Sequence, residues 1–369
     1  MLGARFTTSN VTTKAGTTTA SIMAIFLFAW TVSRCFSFGF GVFFGHSAWE
    51  KSSPYFYYAS LMSRKALLLF LAAGIIWGTP YFFIAIAIDY FQTPSIVFLR
   101  VFLGAAILLP IAIKRGMVRK TLKAWPAVLA FATLEMVGPW FLITEAEREI
   151  SSTLAGLLIT TVPFIAAFLV GLLGDRSAWH PLTVLGLVLG LAGVMALVGI
   201  DVFSGTIPLT PVLMMLVAAV GYAVAPIIAN RMPREIPTLG VIAVSLTMVS
   251  VIYAPFAAFT LPEDIAAGPS WQSWVSLVVL GAFCSALAFI FFFALIREIG
   301  PARASLITYV NLGVAAILGI VFLNEPITPG IVVGFPLVVL GSYLASRQRQ
   351  ALVRKSKRRE KSDEIPETL

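Results

Sequence analysis

Residues 153–197, TLAGLLITTVPFIAAFLVGLLGDRSAWHPLTVLGLVLGLAGVMAL, and residues 304–345, ASLITYVNLGVAAILGIVFLNEPITPGIVVGFPLVVLGSYLA, decide the fold. Each reads as two apolar helices joined by a short turn, and each turn carries an acid, Asp175 in the first and Glu325 in the second. Set against each other at an offset of about 150 residues, Gly186 falls opposite Gly334 and Gly193 opposite Gly341. At a slightly smaller offset Trp77 falls opposite Tyr222, and Pro80 near Pro226. The stretches are the ends of two related halves.

A bilayer core about 30 Å thick is crossed by a helix of about 20 apolar residues. Working outward, ten segments meet that requirement: Ala66 to Ile88, Pro94 to Ile113, Ala124 to Thr144, Thr153 to Leu173, Leu182 to Ile200, Pro211 to Ala229, Leu239 to Thr260, Trp274 to Ile296, Ala304 to Leu323 and Thr328 to Ser346. The expected fold is an all-α polytopic membrane protein, with ten transmembrane helices as two inverted five-helix repeats. The inversion follows from parity, because an odd number of crossings per half turns the second half over. Inverted repeats are a recurring build of secondary transporters, with the solute site near the midplane between the halves.

Composition agrees. The chain is 59% hydrophobic and 12% charged, half the charge of a typical soluble domain, so it cannot clothe a water-facing surface. That excludes a soluble enzyme and a disordered chain. Two cysteines in apolar runs, Cys35 and Cys284, and two histidines, His46 and His180, build neither a disulfide scaffold nor a metal centre. No P-loop, H-E-x-x-H, triad context or C-x-x-C is present. No enzyme activity, cofactor or metal is therefore expected, and the driving energy has to come from gradients. The implied partners are a small-molecule substrate and the lipid bilayer, with no nucleic acid, in a monomer or a dimer.

The net charge of +9 is topological. With the first helix starting inside, the inside loops and tail hold Arg64, Lys65, Lys114, Arg115, Arg119, Lys120, Lys123, Arg176, Arg231, Arg234, Arg297, Arg303 and eight more basic residues between Arg347 and Lys361. The outside loops hold only Arg148, and otherwise carry acids such as Asp89, Glu145, Glu147, Glu149, Glu263, Asp264 and Glu325. Basic residues mark the cytoplasmic side, which puts the C-terminus in the cytoplasm of a cell-membrane protein. The domain reading is an N-terminal extension at 1–61, repeats at 62–200 and 201–346, and a basic cytoplasmic tail at 347–369. Ser21 to Phe44 reads as an eleventh helix, a targeting segment or the product of an upstream start codon. Met62, followed by Ser63, Arg64 and Lys65, is the expected natural start.

AAGIIWGTPYF in the first helix, TPSIVFLRVFLGAAILLP in the second and YVNLGVAAILGIVFLNEP in the ninth together resemble the drug/metabolite transporter superfamily, specifically EamA-type transporters. The resemblance runs from about Met62 to Ser346 and implies ten helices, cytoplasmic termini and movement of small metabolites. The sequence departs from the pattern at Leu312, where a proline is usual, and at Asn324, which replaces the glycine before Glu325. The fourth helix closes on Gly174-Asp175, one residue shorter. The expected function is a secondary transporter of small organic solutes, with export the family-level expectation. The rivals are a non-transporting sensor or assembly partner and a lipid-linked sugar translocator.

A charge at mid-bilayer costs about 3 kcal/mol or more, so each one needs a reason. Arg100 is expected at a depth of roughly 10 Å and Glu135 at roughly 13 Å, at 1.5 Å per residue, close enough in depth to meet. They are candidates for substrate binding or coupling, and Trp140, Trp77, Tyr222, Tyr309 and Asn311 are candidate cavity residues. Pro80, Pro139, Pro163 and Pro226 are candidate helix breaks, since proline frees a carbonyl that protein or a cavity has to accommodate. Gly186, Gly190 and Gly193, with Gly334 and Gly341, read as a seam of close helix contacts.

Overall fold

The structure, a computed structural model, describes residues 63–174, 181–203, 208–233, 235–300, 304, 307–341 and 344, excepting the side chains of 170, 197–203 and 309. All lie in the compact unit Met62–Leu369. The N-terminal extension, the turn holding Asp175, Arg176 and His180, the basic residues Arg234 and Arg303, and the basic tail lie outside the described residues.

The described residues are helical, with no strand among them. Seven helical stretches are long and apolar enough to cross a membrane: Arg64–Ala87, Thr93–Lys114, Trp125–Ala146, Ser152–Leu169, Leu209–Arg231, Thr238–Ala266 and Trp271–Ile299. Three shorter apolar helices are Pro181–Ala196, Val310–Phe322 and Pro329–Gly341. Their outward faces carry exposed Leu68, Val251, Phe259 and Trp271, an apolar surface that suits lipid and not water.

Two stretches are broken where proline enters. Helix α1 (Arg64–Gly78) starts at Ser63, whose hydroxyl accepts the Ala66 N–H at 3.1 Å, and gives way to α2 (Pro80–Ala87). Helix α3 is Thr93–Lys114, and the stretch Ser152–Leu169 likewise divides, at Thr160 and Thr161 before Pro163. At both breaks threonine hydroxyls take up freed carbonyls: Thr79 donates to Ile76 O at 2.8 Å, and Thr160 and Thr161 donate to Leu157 O and Leu158 O at 2.5 and 2.7 Å. Pro226 behaves differently from the expectation. It faces outward, and Leu209–Arg231 runs through it without a break.

Two other stretches widen into π-helix, at Thr133–Val137 and at Val279–Leu287. Side chains from neighbouring helices reach their carbonyls: Tyr253 Oη donates to Val137 O at 2.8 Å and Trp77 Nε1 to Cys284 O at 3.1 Å. Buried Pro139 follows the first of these segments directly. Such widenings are frequent at functional sites.

Packing rests on small residues, as it must where lipid is as apolar as leucine. A methyl at Gly281 would lie 2.5 Å from Leu103 Cβ, and one at Gly341 would lie 2.6 Å from Gly186 O and 2.7 Å from Gly190 Cα. The central core joins Thr93–Lys114, Trp125–Ala146 and Thr238–Ala266 through Leu108, Met136 and Leu246, all fully buried.

The two ends of this bundle differ in charge. One gathers Arg64, Lys65, Lys114, Arg115, Arg119, Lys120 and Lys123, with Lys65 paired to Glu298 at 2.5 Å. The other is acidic. There Asp264 accepts the Gln92 N–H and Glu263 accepts from the Gln92 amide, both at 3.2 Å. These two acids, read from sequence as loop residues, belong to the last turn of Thr238–Ala266. Arg148, the lone base at this end among the described residues, donates to Phe91 O at 2.9 Å and Ile88 O at 3.3 Å, satisfying carbonyls just past the end of α2.

Candidate functional site

Arg100 sits on α3 and is 7% exposed. Its guanidinium lies over the Trp140 ring, with Cζ 3.7 Å from the ring centre. Its Nε donates to Ser285 Oγ at 3.0 Å, and that hydroxyl donates in turn to Leu280 O at 2.8 Å inside the second π-segment. A desolvated cation on an indole face gains about 2 kcal/mol, enough with the hydrogen bond to hold the charge in place. Tyr222 reaches Trp140 and lies within range of the charges of Arg100 and Glu135. Tyr81, from α2, lies within range of Tyr222, Arg100 and Glu147. One cation and an indole thus meet in the interior, with two phenols near enough to feel the charge.

The expected meeting of Arg100 with Glu135 does not occur. Among the described residues Glu135 has no ion-pair or hydrogen-bond partner, although it shares Tyr222 with Arg100 as a neighbour. The guanidinium is committed to Trp140 on one side and Ser285 on the other. Glu135 sits half-buried on the first π-segment.

Trp77 and Asn311 hold helices together. Trp77 packs edge-on to Phe289 at 5.1 Å and against Phe292 at 4.9 Å. Asn311, in the amide orientation that satisfies both bonds, donates to Gly74 O at 2.6 Å and Ile307 O at 3.0 Å, joining the helix Ile307–Phe322 to α1. The side chain of Tyr309 lies outside the described residues.

Sequence reading passed over Glu147. It belongs to the charge run EAERE, which reads as a solvated loop, yet it is 5% exposed. It lies one residue past the stretch Trp125–Ala146. Burial pushes its carboxyl well above the usual range; Glu325 adds to that push and Arg100 opposes it. A signal was present: Trp140, Thr144 and Glu147 are spaced by four and three, one stripe of a helix, and the first two are buried. Glu325 was placed in a loop as well. Its carboxylate accepts the N–H groups of Ser152 at 2.6 Å and Thr153 at 2.9 Å, at the start of the helix Ser152–Ile159, where unsatisfied donors and the helix dipole favour an anion. The residue before it, Asn324, has φ 55°, a left-handed backbone that asparagine tolerates nearly as well as glycine. Gly174, before Asp175, has φ 98°, so both acids follow a residue of the same hand.

Among the described residues no group of three or more His, Cys, Asp or Glu is placed to hold a metal ion.

Comparison with known proteins agrees with this architecture. The model of the family described as "EamA-like transporter family" matches residues 64–199 and again residues 209–347. The uncharacterized inner membrane transporter YedA of Escherichia coli K12 is 27% identical over 293 residues, which is 76% of this chain and 94% of that protein. The uncharacterized transporter YvbV of Bacillus subtilis is 25% identical over 292 residues, 78% of this chain and 93% of the relative. A solved crystal structure superposes with a TM-score of 0.56 at 21% identity, covering 77% of this chain and 98% of the other, a likeness of fold.

Proposed function

Because the chain belongs to the EamA-like transporter family, we propose that it is a secondary transporter of small organic metabolites, an exporter, working by alternating access across the cytoplasmic membrane. Its ten apolar helices form two inverted five-helix repeats, at 62–200 and 201–346, and the solute binds between them. The observation that carries this reading is the buried cation–π pair of Arg100 and Trp140, with half-buried Tyr222 and Tyr81 within range of the charge, a cation kept in the interior of an apolar bundle. The breaks at Pro80 and Pro163, both within the first repeat, support it, as do the left-handed residues before Asp175 and Glu325. Glu135 remains a coupling candidate, since an acid without a partner on a π-segment is poised to exchange protons or meet a basic solute.

At the acidic end the halves touch through Gln92 and Glu263, 3.2 Å apart, and through the hydroxyls of Ser95 and Thr260, 2.7 Å apart. Rocking has to part them. Reconstituted protein tested with labelled amino acids and amphipathic amines is expected to show flux above empty liposomes. Joining Gln92→Cys to Glu263→Cys with a short bis-maleimide is expected to stop that flux. Unchanged flux with the bridge confirmed would overturn alternating access, and no flux of any probe would overturn the transporter reading.

The charge difference between the ends supports a cytoplasmic C-terminus. A phosphatase that matures only outside the cytoplasm, fused after Leu369, is expected to stay inactive; activity there inverts the topology.

A further inference from the structure

Among the described residues, five buried side-chain polar atoms lack a hydrogen-bond partner. Four of them come from one short stretch of chain, residues 147–153: both carboxylate oxygens of Glu147, Ser152 Oγ and Thr153 Oγ1; the fifth, Ser245 Oγ, is on the helix Thr238–Ala266. Ser152 and Thr153 gather about Glu325, whose carboxylate holds their N–H groups and whose charge is felt at Glu147. A methyl at Gly319 would meet Thr153 Oγ1 and Glu325 Oε2, with Ser152 Oγ at 2.9 Å, so these three oxygens converge on the bare face of that glycine. Buried polar groups are almost always satisfied. A concentration of unsatisfied ones, all able to accept, marks a place that something else completes.

We propose that Glu147, Ser152 and Thr153 form a binding site for a monovalent cation, either an alkali-metal ion or the protonated amine of a solute. The charge count sets the sign and the valence. The facing charges are two carboxyls, Glu147 and Glu325, against Arg100 and the helix N-terminus that Glu325 caps, so with both carboxyls ionised the balance is about one negative charge or less. A carboxylate with two hydroxyls is a hard-oxygen set that suits such a cation and repels an anion. The inference rests on the transporter reading only for its purpose: the cation would be coupling ion or cargo.

The test is binding by the full-length protein in detergent, read from its unfolding temperature at constant chloride. Sodium chloride and methylammonium chloride are each titrated against N-methylglucamine chloride. A saturable rise with either probe is expected, since a ligand of the folded state alone raises stability. Sodium alone identifies a metal-ion site, methylammonium alone an ammonium site, and both a shared one. The groups that face Glu147 are Glu325, Arg100 and Tyr81. Burial favours its protonated form, so stability without cation is expected to fall as pH rises above the usual carboxylate range, and cation affinity to rise over the same interval. Glu147→Gln is expected to flatten the pH slope and weaken binding by about tenfold or more. Ser152→Ala, which deletes an unsatisfied hydroxyl, is expected to weaken binding about threefold without lowering the unfolding temperature of the cation-free protein. It reads the site even where Glu147→Gln fails to fold. Exposed Glu149→Gln is the unchanged control. No rise with either probe, or an equal rise in Glu147→Gln and Ser152→Ala, overturns the proposal. Flux without cation binding removes this site and leaves the transporter; cation binding without flux does the reverse.

Discussion

Arg100→Ala is expected to reduce solute flux by about a hundredfold or more. The substitution removes a cation–π contact of about 2 kcal/mol and a charge-assisted hydrogen bond of about 1.5 kcal/mol or more. It also withdraws a cation whose charge reaches Tyr81, Tyr222 and Glu147. Arg100→Lys separates folding from function. An ammonium keeps the charge but has neither the planar face that lies on Trp140 nor the Nε–H that reaches Ser285. The lysine variant is therefore expected to elute as a folded protein while its flux falls about tenfold. Flux at the parent rate in both variants would make Arg100 a packing residue, and the solute path would have to lie elsewhere.

Gly341→Leu is expected to have the largest effect on stability. Its first side-chain atom alone would fall 2.6 Å from Gly186 O and 2.7 Å from Gly190 Cα. Those are backbone atoms, so no rotamer relieves the clash and the two helices have to separate. Overpacking of this kind costs about 3 kcal/mol, and loss of close contact along the seam adds to it. The expected result is aggregated protein, or an unfolding temperature lower by ten degrees or so on the scale of about 2–4 °C per kcal/mol for chains of this order. Gly313→Ala provides the contrast. Nothing lies within 4 Å of the added methyl, and alanine is favoured over glycine inside a helix by up to about 1 kcal/mol. That variant is expected to be unchanged or slightly more stable. A Gly341→Leu protein as stable as Gly313→Ala would mean that the seam is not closely packed.

The extent to which each feature was legible follows from how local its cause is. A run of about 20 apolar residues has to leave water wherever it occurs, so the helices, their lipid-facing surface and the contrast between a basic and an acidic end were readable along the chain. So were the interruptions at Pro80 and Pro163, because a missing N–H is a property of one residue. The small-residue seam was readable as a tendency, and tertiary structure supplied its partners: Gly186 and Gly190 meet Gly341 across the bundle.

The direction of the site's side chains was not legible in the sequence. Distance from a helix end places Arg100 and Glu135 at similar levels, but the direction in which each side chain leaves its helix depends on which helices stand beside it. Ser285 reaches Arg100 from 185 residues away, and the π-segment under Glu135 is set by hydrogen bonds that no apolar pattern records. Glu147 shows the same limit most plainly. Among Glu145, Arg148 and Glu149 it looks solvated, and its neighbours in sequence are indeed exposed or paired at the surface. It is buried because the turn ahead of the helix Ser152–Ile159 is closed by Glu325, 173 residues from Ser152. Hydrophobicity acts on each segment by itself, and so the sequence alone determined what enters the membrane. Which polar groups lose water together depends on contacts between segments remote in the chain, and only the tertiary structure decided that.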